Sequence, residues 1–85
     1  MDFKTFKRIN MKEKYLKRIS SDPDILMGYP CIKGTRIAVY MILQNLASGE
    51  SYEEILEGYP SLTMKDIIAA LRYAANLTEN EINAI

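Results

Sequence analysis

Apolar residues recur along the C-terminal two-thirds of the chain at the spacing of helices. Val39, Ile42, Leu43, Leu46 and Ala47 stand at i, i+3, i+4, i+7 and i+8, which places them on one face of a helix about ten residues long. Gly49 follows as a stop, because glycine accepts the left-handed conformation that ends a helix. Ser51-Tyr52-Glu53-Glu54 then reads as a capping box, with Ser51 as N-cap and Glu54 reaching back, worth about 1 kcal/mol. Ile55 and Leu56 give this second, short helix its buried face, and Gly58-Tyr59-Pro60 ends it. Thr63-Met64-Lys65-Asp66 is another start signal, with Asp in place of Glu. Ile67, Ile68, Leu71, Ala74 and Ala75 carry the helical period to about Asn76. Thr78-Glu79-Asn80-Glu81 repeats the capping pattern and predicts a short last helix backed by Ile82 and Ile85.

The first third is patterned differently. Phe3, Phe6 and Ile9 fall on a period of three among cations, the pattern of a short amphipathic helix. Tyr15-Leu16-Lys17-Arg18-Ile19 predicts a short strand. Ser21-Asp22-Pro23-Asp24 is turn chemistry, since Asp and Ser bond nearby backbone and Pro fixes φ. Gly28-Tyr29-Pro30 makes a second bend. Cys31-Ile32 and Arg36-Ile37-Ala38-Val39 flank Lys33-Gly34-Thr35, where Gly34 suits a turn of positive φ. The expected organisation is a basic N-terminal arm over 1–20, then one domain over 21–85. That domain holds a small β element, three helices and a terminal stub. It is mainly α, and the bend between its second and third helices has the spacing of a helix-turn-helix.

Composition narrows the chemistry. Eighty-five residues make one domain, and a domain this small leaves much of its surface unburied. A partner chain would add stability, so apolar surface buried between chains is expected. Histidine is absent, which removes the commonest general base at neutral pH and the commonest metal ligand. Cys31 is the single cysteine. It allows no intrachain disulfide, points to a reducing, cytoplasmic setting, and reads as a small buried hydrophobe rather than a reactive thiol. No Ser or Cys has a histidine to activate it. The expectation is a protein that is not an enzyme and uses neither cofactor nor metal. No apolar run reaches the length of a membrane span, and the charged N-terminus lacks the core of a secretory signal.

Charge is unevenly placed. The formal net charge is zero, but residues 1–18 hold seven cations and two acids, and residues 19–85 hold four cations and nine acids. A basic arm on an acidic body can grip an anionic partner or can simply keep the chain soluble. If DNA is the partner, Lys7, Arg8 and Lys12 of the arm supply charge. The third helix then offers Lys65, Arg72 and Asn76, with Ser61 and Thr63 at its start. Glu53, Glu54 and Glu57 of the second helix repel phosphate. Lys33-Gly34-Thr35-Arg36 also has two readings. Arg36 could hold a phosphate or a partner carboxylate through its planar fork, with Lys33, Thr35 and Tyr29 beside it. Alternatively Gly34 makes a turn, Thr35 caps the next helix and Arg36 pairs with an acid of this domain or a dimer mate. Tyr29, Tyr40, Tyr52, Tyr59 and Tyr73 are many tyrosines for a short chain, and tyrosine is enriched at interfaces.

Taken as a set, some of these residues carry a resemblance. Asp22-Pro23, Gly28-Tyr29-Pro30 and Ile32-Lys33-Gly34-Thr35-Arg36-Ile37 are followed by Gly49-Glu50-Ser51 and Glu53-Glu54-Ile55-Leu56. Then come Tyr59-Pro60, Leu62-Thr63, Asp66-Ile67, Ala69-Ala70-Leu71 and Tyr73-Ala74. The stretch from Ser21 to Asn76 resembles the bacterial and archaeal "domain of unknown function 433" proteins, which include VapB-like antitoxins. The first bend departs from the family's usual Gly-Gly or Gly-Lys-Pro, and the basic stretch before residue 15 lies outside the resemblance. The resemblance implies a three-helix, homeodomain-like helix-turn-helix preceded by a small β element, and a homodimer. It further implies the antitoxin of a type II toxin-antitoxin pair. Such a chain binds and inhibits a PIN-like ribonuclease toxin encoded beside it, with the option of binding operator DNA. The alternative reading is a protein-interaction and dimerisation module that does not touch DNA, which the zero net charge and acidic body favour.

Overall fold

The structure is a computed structural model that describes residues 14–82, with side chains up to Glu79. The helix expected around Phe3, Phe6 and Ile9, the arm residues Lys7, Arg8 and Lys12, and Ile85 lie outside the described residues.

The chain is mainly helical, with a small antiparallel sheet ahead of the helices. Strand β1 (Ile19–Ser20) pairs with β2 (Cys31–Ile32), Ile19 opposite Ile32 and Ser20 opposite Cys31. A 3₁₀ turn at Leu26–Gly28 lies between them. Helices α1 (Val39–Ala47), α2 (Tyr52–Gly58) and α3 (Met64–Ile82) follow in the order of a helix-turn-helix. The core gathers Ile32, Val39, Ile42, Ile55, Leu62, Ile67 and Ala70, with Ile19, Leu43, Leu46 and Tyr73 packed against it. Every element except the 3₁₀ turn gives that cluster at least one buried or half-buried apolar side chain.

The helix ends follow their local chemistry. Gly49, at φ +99°, closes α1. The Gly49 N–H donates to the Leu46 carbonyl at 3.0 Å and the Glu50 N–H to the Asn45 carbonyl at 3.1 Å, the paired bonds of a Schellman end. At the start of α2 the Glu54 N–H donates to Ser51 Oγ at 3.1 Å, and the Ser51 N–H donates to Glu54 Oε1 at 2.8 Å. The expected capping box is therefore complete. At α3 the Thr63 N–H donates to Asp66 Oδ2 at 2.9 Å and the Asp66 N–H to Thr63 Oγ1 at 3.4 Å.

Three expectations are corrected. No strand spans Tyr15 to Ile19: residues 14–16 are a helical turn, and the Arg18 N–H closes on the Tyr15 carbonyl at 3.0 Å. Only Ile19 and Ser20 are extended enough to pair. No separate helix starts at Thr78, because α3 runs unbroken to Ile82. The Thr78 hydroxyl donates back to the carbonyls of Ala74 (3.1 Å) and Ala75 (2.9 Å). It serves a continuing helix instead of capping a new one, and no Gly or Pro interrupts the stretch. Finally, Thr35 does not cap α1, whose N-cap is Ala38 without a side-chain bond. The Thr35 hydroxyl instead donates to the Ile32 carbonyl at 2.7 Å and accepts the Ile37 N–H at 3.0 Å. These bonds lock the turn around Gly34, which has φ +81°.

Candidate functional site

Three groups of side chains bear on function. The first lies along α3. Lys65 and Arg72 are exposed, as are Ser61 and Thr63, and Asn76 is half-buried. These residues do not form one electropositive face. The Thr63 hydroxyl is committed to Asp66, which accepts from it at 3.2 Å. The Arg72 guanidinium lies over the Tyr15 ring, 5.8 Å from its centroid, a cation–π placement. Glu53, Glu54 and Glu57 of α2 are all exposed on the helix before it.

The second group centres on Asp66, which sequence reasoning took only as a cap. It is 6% exposed, yet it is ionisable and therefore costly to bury without partners. Its Oδ1 receives Arg18 Nη1 at 3.0 Å, and its Oδ2 receives the Thr63 N–H and hydroxyl. Arg18, not Arg36, thus pairs with an acid of the domain. It sits just before β1, so the bond ties the sheet to the start of α3. Arg36 and Lys33 are exposed on the turn after β2, and among the described residues neither makes an ion pair. Cys31 is buried, and its Sγ contacts the Tyr29 carbonyl at 3.2 Å, consistent with a packing role.

The third group is a groove of about 640 Å³ between α1 and α3. Tyr29 and Pro30 supply one lip. Tyr40, Leu43 and Gln44 line it from α1, and Tyr73, Ala74 and Leu77 from α3. None of these is charged. Tyr29 and Tyr40 meet edge to face, with ring centroids 5.3 Å apart and planes at 66°. Tyr29 keeps 51% of its surface exposed, Tyr40 45% and Leu77 47%. The sequence singled out Tyr29, Tyr40 and Tyr73 but did not bring them together. The signal for the site was the absence of any charge over the nine residues of α1, which an ordinary surface helix would carry on its outer side.

Among the described residues no three His, Cys, Asp or Glu side chains converge as metal ligands, and no helix is long and apolar enough to cross a membrane. The groove therefore offers shape, apolar area and tyrosine hydroxyls.

The architecture has a solved counterpart. The crystal structure of a DUF433 member protein from Anabaena variabilis ATCC 29413, at 2.00 Å resolution, is similar with a TM-score of 0.70 and 26% identity. The similarity covers 94% of this chain and 80% of that one. In sequence, the chain is 45% identical over 56 residues to the uncharacterized protein y4eO of Sinorhizobium fredii (strain NBRC 101917 / NGR234). That is 66% of this chain and 25% of the relative, so the match spans about a quarter of the relative's length. Residues 19–74 match the family described as "Protein of unknown function (DUF433)", and the chain belongs to that family.

Proposed function

We propose that this chain is a protein-interaction module of the antitoxin kind, which acts by occupying a partner's surface and performs no catalysis. The observation that carries the reading is the uncharged, tyrosine-lined groove between α1 and α3. Partly exposed tyrosines around an apolar floor are the material of interface hot spots. The partner class is a protein with an apolar helix or loop to lay in the groove. The resemblance nominates a PIN-like ribonuclease from a neighbouring gene. Lys33 and Arg36 add cations to the turn after β2, suited to an acidic rim on such a partner.

Operator DNA receives less support. Affinity for DNA rests mainly on phosphate contacts. Among the described residues α3 offers Lys65 and Arg72, while the helix before it exposes three glutamates.

Isothermal titration against the neighbouring ribonuclease tests the proposal, with its RNA cleavage followed in parallel. Binding and inhibition are expected. Tyr40→Ala and Leu77→Ala should each weaken binding about tenfold, the scale of an interface tyrosine or leucine anchor. A ribonuclease that ignores the wild-type chain, or one bound equally well by both variants, overturns the reading. A duplex carrying the native promoter, at low salt, tests the DNA option separately.

A further inference from the structure

The two short strands are joined by the residues 21–30, although a two-residue turn suffices for an antiparallel pair. The backbone of this connection is fixed by its own bonds. The Asp24 N–H donates to Asp22 Oδ1 at 2.9 Å, the Ile25 N–H to the Asp22 carbonyl at 2.9 Å, and the Gly28 N–H to the Ile25 carbonyl at 3.1 Å. The Tyr29 N–H donates to the Leu26 carbonyl at 3.1 Å, and the Ser21 hydroxyl donates across the loop to the Gly28 carbonyl. Inside this frame Leu26, Met27 and Gly28 have φ of +49°, +56° and +87°. Glycine adopts that conformation freely, but side chains bearing a Cβ are strained in it, and successive residues of this kind are exceptional.

Burial does not account for the strain. No residue from Ser21 to Tyr29 is buried, and none belongs to the core cluster. Met27 is 86% exposed. The fold alone would be served better by Gly or Asn at position 27. Strained residues held by a rigid frame cluster where a protein meets its ligand. Met27 also lies two residues from Tyr29, whose ring packs against Tyr40 on the lip of the groove.

We propose that the Leu26–Gly28 turn is a recognition element that presents Met27 as an anchor, its thioether side chain entering an apolar socket with a basic rim on the partner that fills the groove. The proposal rests on the reading of the groove as a protein surface. It adds a second contact there, in which this chain supplies the knob and the partner the hole. Methionine suits the task, because it is unbranched and polarizable, favours aromatic walls and is enriched at interfaces. A frame fixed before binding avoids the entropy cost of ordering a loop. The rim follows from charge. Asp22 and Asp24 are exposed on the same loop, and no Lys or Arg lies between Ile19 and Ile32. The cations Lys33 and Arg36 lie past the other end of β2.

The full chain titrated calorimetrically against the neighbouring ribonuclease tests the assignment, with thermal unfolding of each variant measured alone. Met27→Ala should weaken binding about tenfold, while Met27→Leu, of similar volume, stays within about threefold. Met27→Gly gives the sharpest readout, since the fold and the contact respond in opposite directions. It should raise Tm by roughly 2–8 °C and still weaken binding at least tenfold. Asp24→Lys should weaken binding about threefold at low salt and less at high salt. A Met27→Gly variant that binds as tightly as the wild type, or that unfolds at a lower temperature, overturns the proposal. An Asp24→Lys variant that binds unchanged or tighter overturns the basic rim. A ribonuclease sensitive to Tyr40→Ala and Leu77→Ala but not to Met27→Ala removes this inference alone. One sensitive to Met27→Ala but not to the groove variants removes the groove reading and keeps this one. One that ignores the wild-type chain removes both.

Discussion

Replacing Asp66 with alanine removes the group that holds the sheet to α3, and the structure sets the size of the loss. The carboxylate is 6% exposed and accepts the Arg18 guanidinium at 3.0 Å, the Thr63 N–H at 2.9 Å and the Thr63 hydroxyl at 3.2 Å. Losing the reciprocal cap costs about 1 kcal/mol. A hydrogen bond between ionised groups contributes about 1.5–3 kcal/mol when shielded. The Arg18 side chain is 37% exposed, so water replaces part of that bond and about 1 kcal/mol is the discounted figure. The sum is about 2 kcal/mol, or roughly 8–16 °C in Tm for a domain of this size. Asp66→Asn keeps an acceptor for the Thr63 N–H and loses the ion pair, so about half the effect should remain. Urea unfolding at 25 °C, followed by far-UV circular dichroism in dilute protein, measures both. A double-mutant cycle with Arg18→Met should return a coupling of about 1 kcal/mol. The reasoning fails if Asp66→Ala costs under about 0.5 kcal/mol, if Asp66→Asn is as damaging as Asp66→Ala, or if the cycle shows simple additivity.

The same unfolding measurement checks three further substitutions. Ser51→Ala should cost about 1 kcal/mol through loss of the capping box at α2, and Ser51→Gly only a few tenths. Gly34→Ala meets no atom within 4 Å, so its expected cost of about 1 kcal/mol comes from the φ of +81° alone. Met27→Gly, at φ +56°, should raise stability by about 0.5–1 kcal/mol, the relief of left-handed strain less the entropy of an added glycine. A loss on Met27→Gly in dilute protein would mean that the side chain packs within its own chain.

The sequence disclosed the features written in adjacent residues. The caps at Ser51 and Thr63, the stop at Gly49 and the face of α1 depend on spacings of three and four, and all three helices start where those signals place them. The same grammar misled at Thr78, because a Thr-x-x-Glu motif inside a good helix can spend its hydroxyl on a carbonyl one turn back. It misled again at Thr35, where a hydroxyl chose the turn before the helix over the helix start. Other features depend on contacts between distant residues. Asp66 looks like a cap until Arg18 is brought against it from 48 positions away. Leu26 and Met27 give no sign of left-handed backbone, since their side chains disfavour it. The groove depends on Tyr29 and Tyr73 reaching the same slot, and no local pattern encodes that meeting. Its uncharged character was nonetheless written in α1.

The Arg18–Asp66 bond also constrains how the chain is born. Two strands of two residues each cannot hold together unaided. The sheet is held by the packing of Ile19 and Ile32 on the core and by the carboxylate that α3 delivers. At ribosomal speeds of about 5–20 residues per second, the 48 positions between Arg18 and Asp66 take roughly 2–10 s to synthesise. Ile19, Ile32 and Val39 are made within that interval, before the Ile55, Leu62, Ile67 and Ala70 side chains that complete their core. The sheet is therefore a late-forming part of the fold, because its ion-pair partner and most of its core partners are C-terminal to it.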